Sequence, residues 1–474
     1  MSNRRLVQWC RRLIATPSVT SDGTRAIAEL CARELLAPAR IEARLIPSTC
    51  EGNHQVNLVA IVRGLKPDAA PLVLNTHLDT VPPGDPALWT ECGGDPFRAK
   101  VDGDRIYGLG AADTKLDFVA KAIALAQCGR PRRDVYMVGT FGEEHGLVGA
   151  KEIARAGIIP RGALGFIGEP SRLKLIVAHK GLTVFELRLS PAARKESQSA
   201  GARDKLSRIA FAGRAAHSST PHLGRNAIVV ALDFLAAHPE LAVAAIEGGD
   251  VVNKVPARCE TVVRGPVPKL PPGATATADA GRSAPDALAP AVIAAAAKFA
   301  EALKNFADRS VATGAVPEPD FAASAPVATA MTCNVGKIRT ADGALVLEFE
   351  LQPPPGLALE SVRNGVKSIC SILRRRFRGL EVHPGELRAN PGFRARADSP
   401  TLELAMAALA QAGLGLETDV KAGCTEAGVY AAAGLYPIVV GPGPSTGVIH
   451  APNEYGFISE VEAAVRFYRH LLEL

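Results

Sequence analysis

A chain of 474 residues is long for one domain, and its 47% hydrophobic residues are enough for a buried core in each of two domains. The net charge of +6 comes from 54 basic and 48 acidic residues spread over the whole chain, which argues against a nucleic-acid partner and suits small anionic substrates. Nine scattered cysteines without a C-x-x-C pair indicate reduced thiols, and no apolar run could span a membrane, so we expect a cytoplasmic protein with no membrane partner.

The N-terminal part of the chain has the pattern of an α/β domain. Its arginine-rich start could be a transit peptide, but the spacing of Leu6, Cys10, Leu13 and Ile14 predicts an amphipathic first helix. Helices then alternate with short apolar runs at 56–62, 71–77, 134–141 and 163–170. Such runs are typical of strands buried on both faces, so they predict a mixed, mostly parallel sheet with flanking helices.

Two polar motifs follow in this part of the chain. His77 and Asp79 form an H-x-D pair directly after an apolar run, where the imidazole could bind a metal and the carboxylate could orient it, unless the pair lies in a surface loop. Asp113 follows a glycine-rich turn and precedes a helix. It is therefore either a carboxylate that could bridge two cations or the N-cap of that helix.

The next two apolar runs also end in acidic residues. Glu143 and Glu144 are adjacent. Two neighbouring carboxylates at a buried strand end repel each other, which destabilises the fold unless cations or protons offset their charge. The alternative is that both residues lie in a solvated turn. We do not expect His145 to be a metal ligand, because a third side chain from the same turn should point away from the site. Glu169 follows the last of these runs in the sequence GEPS.

From about 183 to 386 the pattern changes to that of an inserted α+β domain, with strand-like segments at 183–190, 259–265 and 344–352 and a helix near Asn226. Residues 191–207 and 265–290 are predicted as loops or insertions. The α/β texture returns with a helix at 401–413, an apolar run at 435–443 and a final helix from Ser459, so both ends of the chain should complete one sheet. His450 lies in the loop before that final helix.

These polar residues have the composition of a catalytic metal site. Two histidines and several carboxylates without a thiolate suit Zn²⁺ held for catalysis better than a closed structural site. Two ions about 3.5–4 Å apart could share one carboxylate. One of the adjacent glutamates could then bind metal while the other serves as a general base.

The same motifs resemble a known family when they are taken in this order: THLDT (76–80), GLGAADTK (108–115), TFGEEHG (140–146), GEPS (168–171) and GVIHAPNEY (447–455). The family is the zinc-dependent one that contains acetylornithine deacetylase, succinyl-diaminopimelate desuccinylase, aminoacylase-1 and bacterial glutamate carboxypeptidase. The resemblance covers nearly the whole chain, and AHKG (178–181) and GCTEAGVYAAAG (423–434) look most like the acetylornithine deacetylase branch. It implies a zinc-peptidase-like catalytic domain at 1–182 and 387–474, and a ferredoxin-like lid or dimerisation domain at 183–386.

The resemblance also implies a set of site residues and two Zn²⁺ ions, for which Co²⁺ or Mn²⁺ could substitute. The implied ligands are His77 and Glu169 for one ion, Glu144 and His450 for the other, and Asp113 as the bridge. Asp79 would orient His77, and Glu143 would be the general base. The implied reaction is hydrolysis of an amide, in which Glu143 takes a proton from the attacking water and passes it to the leaving amine.

Further roles are implied for the lid and for the C-terminal part of the chain. His217 matches a histidine that, in dimeric members, reaches the neighbouring subunit's active site and stabilises the oxyanion, so we expect a homodimer through the lid. Asn253 and Arg264 are implied substrate contacts. Glu426 would recognise a substrate amino group or, alternatively, cap the next helix. The segments 191–207 and 265–345 depart from the family pattern as extra lid segments.

The expected function is therefore hydrolysis of an N-acylated amino acid of the N-acetylornithine or N-succinyl-diaminopimelate type. A metal-dependent dipeptidase or carboxypeptidase of the same family is the first alternative. A non-catalytic binding protein is the second, although the presence of Glu143 argues against it because a pure binder needs no spare base. An interaction module built on the Ala- and Pro-rich stretch 265–330 is the third, with a decoration of the lid as its simpler explanation.

Overall fold

A computed structural model describes residues 3–50, 52–192, 206–279, 287–310 and 330–474. The helices are α1 (Asn3–Ile14), α2 (Arg25–Leu30, continued by a π-helix at Cys31–Leu36), α3 (Lys115–Cys128), α4 (Val148–Arg155), α5 (Ala227–Ala237), α6 (Pro290–Arg309), α7 (Leu359–Arg376), α8 (Pro400–Gln411), α9 (Glu426–Ala432) and α10 (Ile458–Glu473). The strands are β1 (Ala43–Cys50), β2 (Asn53–Val62), β3 (Leu72–His77), β4 (Lys100–Asp102), β5 (Arg105–Tyr107), β6 (Val135–Thr140), β7 (Leu164–Gly168), β8 (Leu175–His179), β9 (Leu182–Pro191), β10 (Leu206–Ala212), β11 (Ala242–Gly248), β12 (Arg258–Arg264), β13 (Thr275–Asp279), β14 (Thr332–Ala341), β15 (Ala344–Gln352), β16 (Leu380–Asn390), β17 (Phe393–Arg394), β18 (Thr418–Lys421), β19 (Tyr436–Val439) and β20 (Tyr455–Phe457).

The chain forms two compact units. One comprises Met1–His179 and Phe393–Leu474, and the other comprises Lys180–Gly392. The junctions fall at residues 180 and 392, where the sequence pattern placed them at 183 and 386. Each unit has a hydrophobic core of its own. Within the described part of the chain, no helix combines the length and the apolar content that crossing a bilayer requires.

The first unit is built on a mixed sheet with the strand order β1-β2-β6-β3-β7-β19-β8-β17, and β18 pairs with β8. The neighbours β6, β3, β7 and β19 are parallel, whereas β1, β2, β8 and β17 pair antiparallel. Every residue of β3, β6 and β7 is buried, as the uninterrupted apolar runs predicted. The predicted α/β class is confirmed.

Helices cover both faces of this sheet. Leu72 and Leu74 belong to the core that also contains residues of α1, α3, α8 and α10, whereas Val73 between them belongs to the core with residues of α4 and α9. Successive side chains of a strand point to opposite faces, so the sheet lies between two helical layers. Burying each of these side chains contributes about 1.5–3 kcal/mol relative to exposure.

The second unit is built on an antiparallel sheet with the strand order β13-β10-β12-β11-β14-β15-β9-β16. Alternate residues of β9, namely Phe185, Leu187 and Leu189, pack in one core with residues of α5, α6 and α7. The helix α5 starts where it was predicted, because the side chain of Asn226 accepts hydrogen bonds from the backbone amides of Ile228 and Val229. The unit is thus an α+β domain.

The segments that depart from the family pattern are only partly described. Of the stretch 191–207, residues 193–205 lie outside the described residues, as do 280–286 and 311–329 of the stretch 265–345. The loop prediction for 265–290 is wrong in part, because β13 pairs with β10 as an edge strand. Its alternating Thr and Ala residues suit an edge strand, although they carry too little apolar character to be recognised in the sequence.

Candidate metal centre

The parallel strands β3, β6 and β7 end at one edge of the sheet, and predicted site residues lie at the end of each strand or just after it. His77 is the last residue of β3, Glu143 and Glu144 lie in the turn after β6, and Glu169 directly follows β7. Parallel neighbouring strands place their carboxyl ends at the same edge, which is where open α/β sheets bind their ligands. Three segments that are distant in the sequence therefore meet there.

Asp113 and His450 are brought to this edge by loops. The strands β5 and β20 pair antiparallel, which holds the loop after β5 next to the segment before β20. The helix-capping alternative for Asp113 is wrong, because Thr114 occupies the N-cap position of α3. The Asp113 carboxylate instead faces both histidines, with Oδ1 lying 3.1 Å from His77 Nε2 and Oδ2 lying 3.2 Å from His450 Nε2.

The ligand-type side chains form two groups of three, and within each group one donor atom per residue lies within 4.8 Å of the others. The groups are His77, Glu143 and Glu169, and Asp113, Glu144 and His450. Asp113 connects them because its two oxygens contact histidines of different groups. This is the arrangement that a bridging carboxylate between two cations requires.

The charges of the two groups also fit bound cations. Burial raises the pKa of Glu143 well above its usual range, and the nearby Glu169 raises it further. Burial likewise raises the pKa of Glu144. Hydrogen bonds to Asp113 and Glu144 raise the pKa of His450 to about 11. Crowded carboxylates of this kind are stabilised by positive charge, and imidazole nitrogens together with carboxylate oxygens are ligands that suit Zn²⁺.

The Asp79 carboxylate, expected to orient His77, mainly holds the turn that carries the two glutamates. Its carboxylate oxygens accept hydrogen bonds from the backbone amides of Glu143 (3.2 Å) and Glu144 (3.3 Å) and from the hydroxyl of Thr20 (2.7 Å). His77 Nδ1 lies 3.1 Å from the backbone carbonyl of Asp79 and 3.7 Å from its Oδ1. The Nδ1–H group of His77 can therefore donate to Asp79, while Nε2 faces Asp113.

His217 and Asn253 come together in the second unit. The backbone amide of Ser218 donates to the carbonyl of Asn253 (3.1 Å), and His217 pairs with Lys254 in a β-bridge. Both predicted residues are exposed. Arg264 lies at the other end of β12, about 20 Å along the strand from its first residue. The structure therefore pairs two of the three lid residues and separates the third from them.

Glu426 lies beneath the strand ends of the first unit and is 1% exposed. One carboxylate oxygen accepts hydrogen bonds from Asn75 Nδ2 and from Thr140 Oγ1, the latter over 3.0 Å. Burial raises the pKa of Glu426 to about 7. The capping alternative is wrong, because Thr425 is the N-cap of α9 and accepts from the backbone amide of Ala427.

Two residues of the centre were not predicted from the sequence. The Lys421 ammonium group contacts a carboxylate oxygen of Glu169. Glu454 accepts hydrogen bonds from the backbone amides of Ala112 and Asp113. Both contacts join segments that are far apart in the chain, so no local pattern marks them. For Glu454 the only signal is its place in the motif that carries His450.

A buried ion pair supports the strands beneath the centre. Lys121 Nζ lies 2.6 Å from Asp117 Oδ2, and both side chains are fully buried. Lys121 also donates to the backbone carbonyls of Asn75 (2.6 Å) and Phe166 (3.1 Å), in β3 and β7. Gly168 is required next to this pair, because a Cβ atom there would lie 2.0 Å from Asp117 Oδ2. Glu169 follows this glycine directly.

Curated relatives are similar to part of the chain. The acetylornithine deacetylase of Photorhabdus laumondii is 33% identical over 283 residues, which are 54% of this chain and 65% of that protein. The acetylornithine deacetylase of Myxococcus xanthus is 35% identical over 225 residues, which are 47% of this chain and 56% of that protein. The chain therefore spans less than two thirds of the length of these relatives.

Solved structures share the fold over nearly the whole chain. The aminoacylhistidine dipeptidase of Vibrio alginolyticus has a TM-score of 0.63 at 17% identity and covers 98% of this chain and 96% of its own. An M20 family metallo-carboxypeptidase of Sulfolobus solfataricus has a TM-score of 0.59 at 16% identity, covering 100% and 99%. A dinuclear metal-binding peptidase of the M20 family from Bacillus subtilis has a TM-score of 0.54 at 12% identity, covering 99% and 97%.

The profile of one family matches most of the chain. It covers residues 73–474, which include the strand ends, the Asp113 loop and the His450 loop as well as the second unit. The resemblance that the sequence motifs indicated is thereby confirmed. The chain belongs to peptidase family M20/M25/M40.

Proposed function

We propose that the chain is a metal-dependent amidohydrolase that cleaves an N-acylated amino acid of the N-acetylornithine or N-succinyl-diaminopimelate type. The observation that carries the proposal is the pair of donor groups joined by Asp113, with Glu143 among them as a carboxylate that can act as a base. The acetylornithine deacetylases that match 54% and 47% of the chain support the substrate class.

Two Zn²⁺ ions, or Co²⁺ or Mn²⁺ in their place, fit the donor groups. His77 and Glu169 would hold one ion, Glu144 and His450 the other, and Asp113 would contact both. Bound there, the cations would polarise the amide carbonyl and lower the pKa of the attacking water. The description of the Bacillus subtilis neighbour as a dinuclear metal-binding peptidase supports two ions in this fold.

Glu143 would transfer the proton. Its carboxyl group lies beside His77 and Glu169, and burial raises its pKa, so it can hold the proton that the attacking water loses and pass it to the leaving nitrogen. The hydrogen bond from the Glu143 backbone amide to Asp79 keeps the turn in place while the side chain remains free to move the proton.

His217 has the hydrogen-bonding state of an oxyanion donor. Its Nδ1 atom accepts a hydrogen bond from the backbone amide of Ser219 over 3.1 Å. A backbone amide can only donate, so the neutral ring carries its proton on Nε2. An Nε2–H group would stabilise the negative charge that develops on the substrate carbonyl oxygen. We propose that it does so across a homodimer formed through the second unit.

The lid residues and the cellular compartment are also part of the proposal. Asn253 and, with less support because of its distance along β12, Arg264 would contact the substrate. The burial of Glu426 favours a role in positioning β3 and β6 over direct contact with a substrate amino group. All nine cysteines are free thiols, which supports a reducing compartment such as the cytoplasm.

A peptidase is the second proposed function, because the solved structures with this fold include a dipeptidase and a carboxypeptidase. Such an enzyme would use the same donor groups and differ in the residues that hold the substrate. The presence of Glu143 argues against a protein that only binds its ligand, because binding alone has no use for a base.

A substrate screen distinguishes these functions. The protein is reconstituted with Zn²⁺ or Co²⁺ and assayed with N-acetylornithine, N-succinyl-diaminopimelate and a panel of small dipeptides. A larger kcat/KM for the acyl amino acids supports the proposed function, and turnover of dipeptides alone makes the chain a peptidase. A metal-loaded protein that binds these compounds without turning any of them over would contradict both.

A further inference from the structure

Lys421 brings a side-chain cation into the centre. It is the last residue of β18, and its ammonium group contacts Oε2 of Glu169. Glu169 is 5% exposed at its side chain, and Lys421 is 20% exposed. Glu169 also belongs to the donor group with His77 and Glu143. The ammonium group thus binds the same carboxylate that a metal ion in this group would need.

The positive charge of Lys421 acts on several carboxylates of the centre and not on Glu169 alone. Its charge interacts favourably with Glu169, Asp113 and Glu143, so it compensates the acidic side chains from within the protein. A divalent cation would be attracted by the same carboxylates and repelled by the ammonium group. The ammonium group of Lys421 has no lone pair for a metal, so it can only repel the ion. An imidazole, in contrast, becomes a metal ligand when it is neutral.

Among the described side chains, no lysine or arginine contacts the other donor group. There His450 Nε2 lies 3.1 Å from Glu144 Oε1 and 3.2 Å from Asp113 Oδ2. The side chains of this group contact one another, and each of them could serve as a ligand. In the group with Glu169, by contrast, a metal ion would have to displace the Lys421 ammonium group, which cannot be a ligand itself.

We propose that Lys421 competes with divalent metal for Glu169, so that the group of His77, Glu143 and Glu169 binds its ion more weakly than the group of Asp113, Glu144 and His450. The proposal rests on the two-metal function proposed above. The partial exposure of Lys421 gives its ammonium group access to water once a metal displaces it.

Titration of the metal-free protein with Zn²⁺, followed by calorimetry, and with Co²⁺, followed by absorption, tests this directly. The parent chain is expected to bind two ions with unequal affinities. Lys421→Met, and Lys421→Gln as a second neutral variant, should tighten the weaker site by about tenfold or more and leave the tighter site nearly unchanged. Lys421→Arg, which retains the cation, should keep the weaker site weak.

Lys174 provides a matched control near the same strand. Its ammonium group lies 2.7 Å from Glu417 Oε2, and the two side chains are 43% and 64% exposed. Lys174→Met also removes a lysine–glutamate pair and one positive charge, but it should leave both metal affinities unchanged. This comparison separates a local effect at Glu169 from a change in net charge.

The outcomes distinguish the role of Lys421 from the two-metal function. If the parent binds two ions and the neutral Lys421 variants leave both affinities unchanged, the competition is overturned while the function stands. If those variants weaken metal binding, Lys421 holds Glu169 in place for the metal and the proposal is equally overturned. A folded parent that binds no metal beyond adventitious traces would overturn the two-metal function and this inference with it.

Discussion

Glu454 accepts a hydrogen bond from the backbone amide of Asp113 over 2.9 Å. The same oxygen, Oε1, accepts from the backbone amide of Ala112 over 2.8 Å. Glu454 is 1% exposed and follows His450 by four residues, so the segment that supplies one histidine also holds the loop of the connecting carboxylate. Asp113 and His450, which belong to the same donor group, therefore depend on one another through this contact.

Replacing Glu454 should loosen Asp113. Glu454→Ala removes the acceptor of two backbone amides, and we expect metal affinity and kcat/KM to fall by about 10–100-fold. Glu454→Gln keeps a side-chain oxygen that can accept both hydrogen bonds, so it should retain most of the metal affinity and of kcat/KM. Calorimetric metal titration measures the effect. Equal losses in the two variants would show that the carboxylate charge, and not the hydrogen bonds, is what matters.

Glu143→Gln tests the general base. The variant keeps the size of the side chain, and the backbone amide of residue 143 still donates to Asp79. Its amide group cannot take a proton from water, so kcat should fall by about 10²–10⁴-fold with KM little changed. Metal content, measured by elemental analysis of the dialysed protein, should remain at the parent level. A variant that is as active as the parent would show that another group moves the proton.

Much of the centre could be predicted from the sequence because its polar residues lie at the ends of apolar runs. The runs that form β3, β6 and β7 are buried on both faces, and parallel strands bring their ends together whatever the length of the connections. His77, the two adjacent glutamates and Glu169 could therefore be placed at one edge before the structure was known. Assigning them to separate ions depended on the family resemblance.

The remaining residues could not be predicted because their partners are set by tertiary contacts. Lys421 ends a short strand, and nothing in TDVK shows that its ammonium group meets Glu169, more than 250 residues earlier in the chain. The capping alternatives for Asp113 and Glu426 show the same limit in another way. The N-cap residues are Thr114 and Thr425, each one position away from the predicted residue. The carboxylates of Asp113 and Glu426 therefore have other partners.

The buried pair of Asp117 and Lys121 should be essential for stability. Lys121→Met leaves the Asp117 charge buried with hydroxyl donors from Thr76 and Tyr468 but without its cation, and we expect a loss of about 3–5 kcal/mol in the free energy of unfolding. Lys304→Met in α6 is the control, since Lys304 forms an exposed pair with Asp308 at the same spacing.

The control should cost no more than about 0.5 kcal/mol, because water screens exposed pairs. Urea unfolding of the metal-free proteins measures both changes. If the two variants lost equal stability, the buried pair would contribute no more than a surface pair does, and its role in supporting β3 and β7 would be wrong.

Asn334 should position the loop that carries Asn253. Its Nδ2 atom donates to the backbone carbonyls of Val252 and Lys254, each over 2.9 Å, so it holds the loop on both sides of Asn253. Asn334→Asp has no donor for these carbonyls, and we expect kcat/KM to fall by about tenfold or more, mainly through a higher KM. The exposed Asn305 gives the control variant Asn305→Asp, which should match the parent in steady-state assays.

Glu350 should make the stability of the protein depend on pH. It is 1% exposed, and burial raises its pKa to about 7 despite hydrogen bonds from Ser218 and Gln352. In the unfolded chain its pKa returns to the ordinary value of 4.5. Between these two values the folded protein retains a proton that the unfolded chain has lost. The contribution of Glu350 to stability therefore falls as the pH rises from about 4.5 to about 7, and it stays constant above that.

Glu350→Gln cannot ionise, so its stability relative to the parent should increase over this pH interval, by at most about 3 kcal/mol. Urea unfolding at about pH 5 and about pH 8 measures the change, because the difference between variant and parent removes contributions common to both. Glu348→Gln is the control on the same strand. It breaks the 3.2 Å salt bridge to Lys337 and should bring no gain at the higher pH. A Glu350→Gln difference that is the same at both pH values would show that Glu350 is already ionised in the folded protein at pH 5.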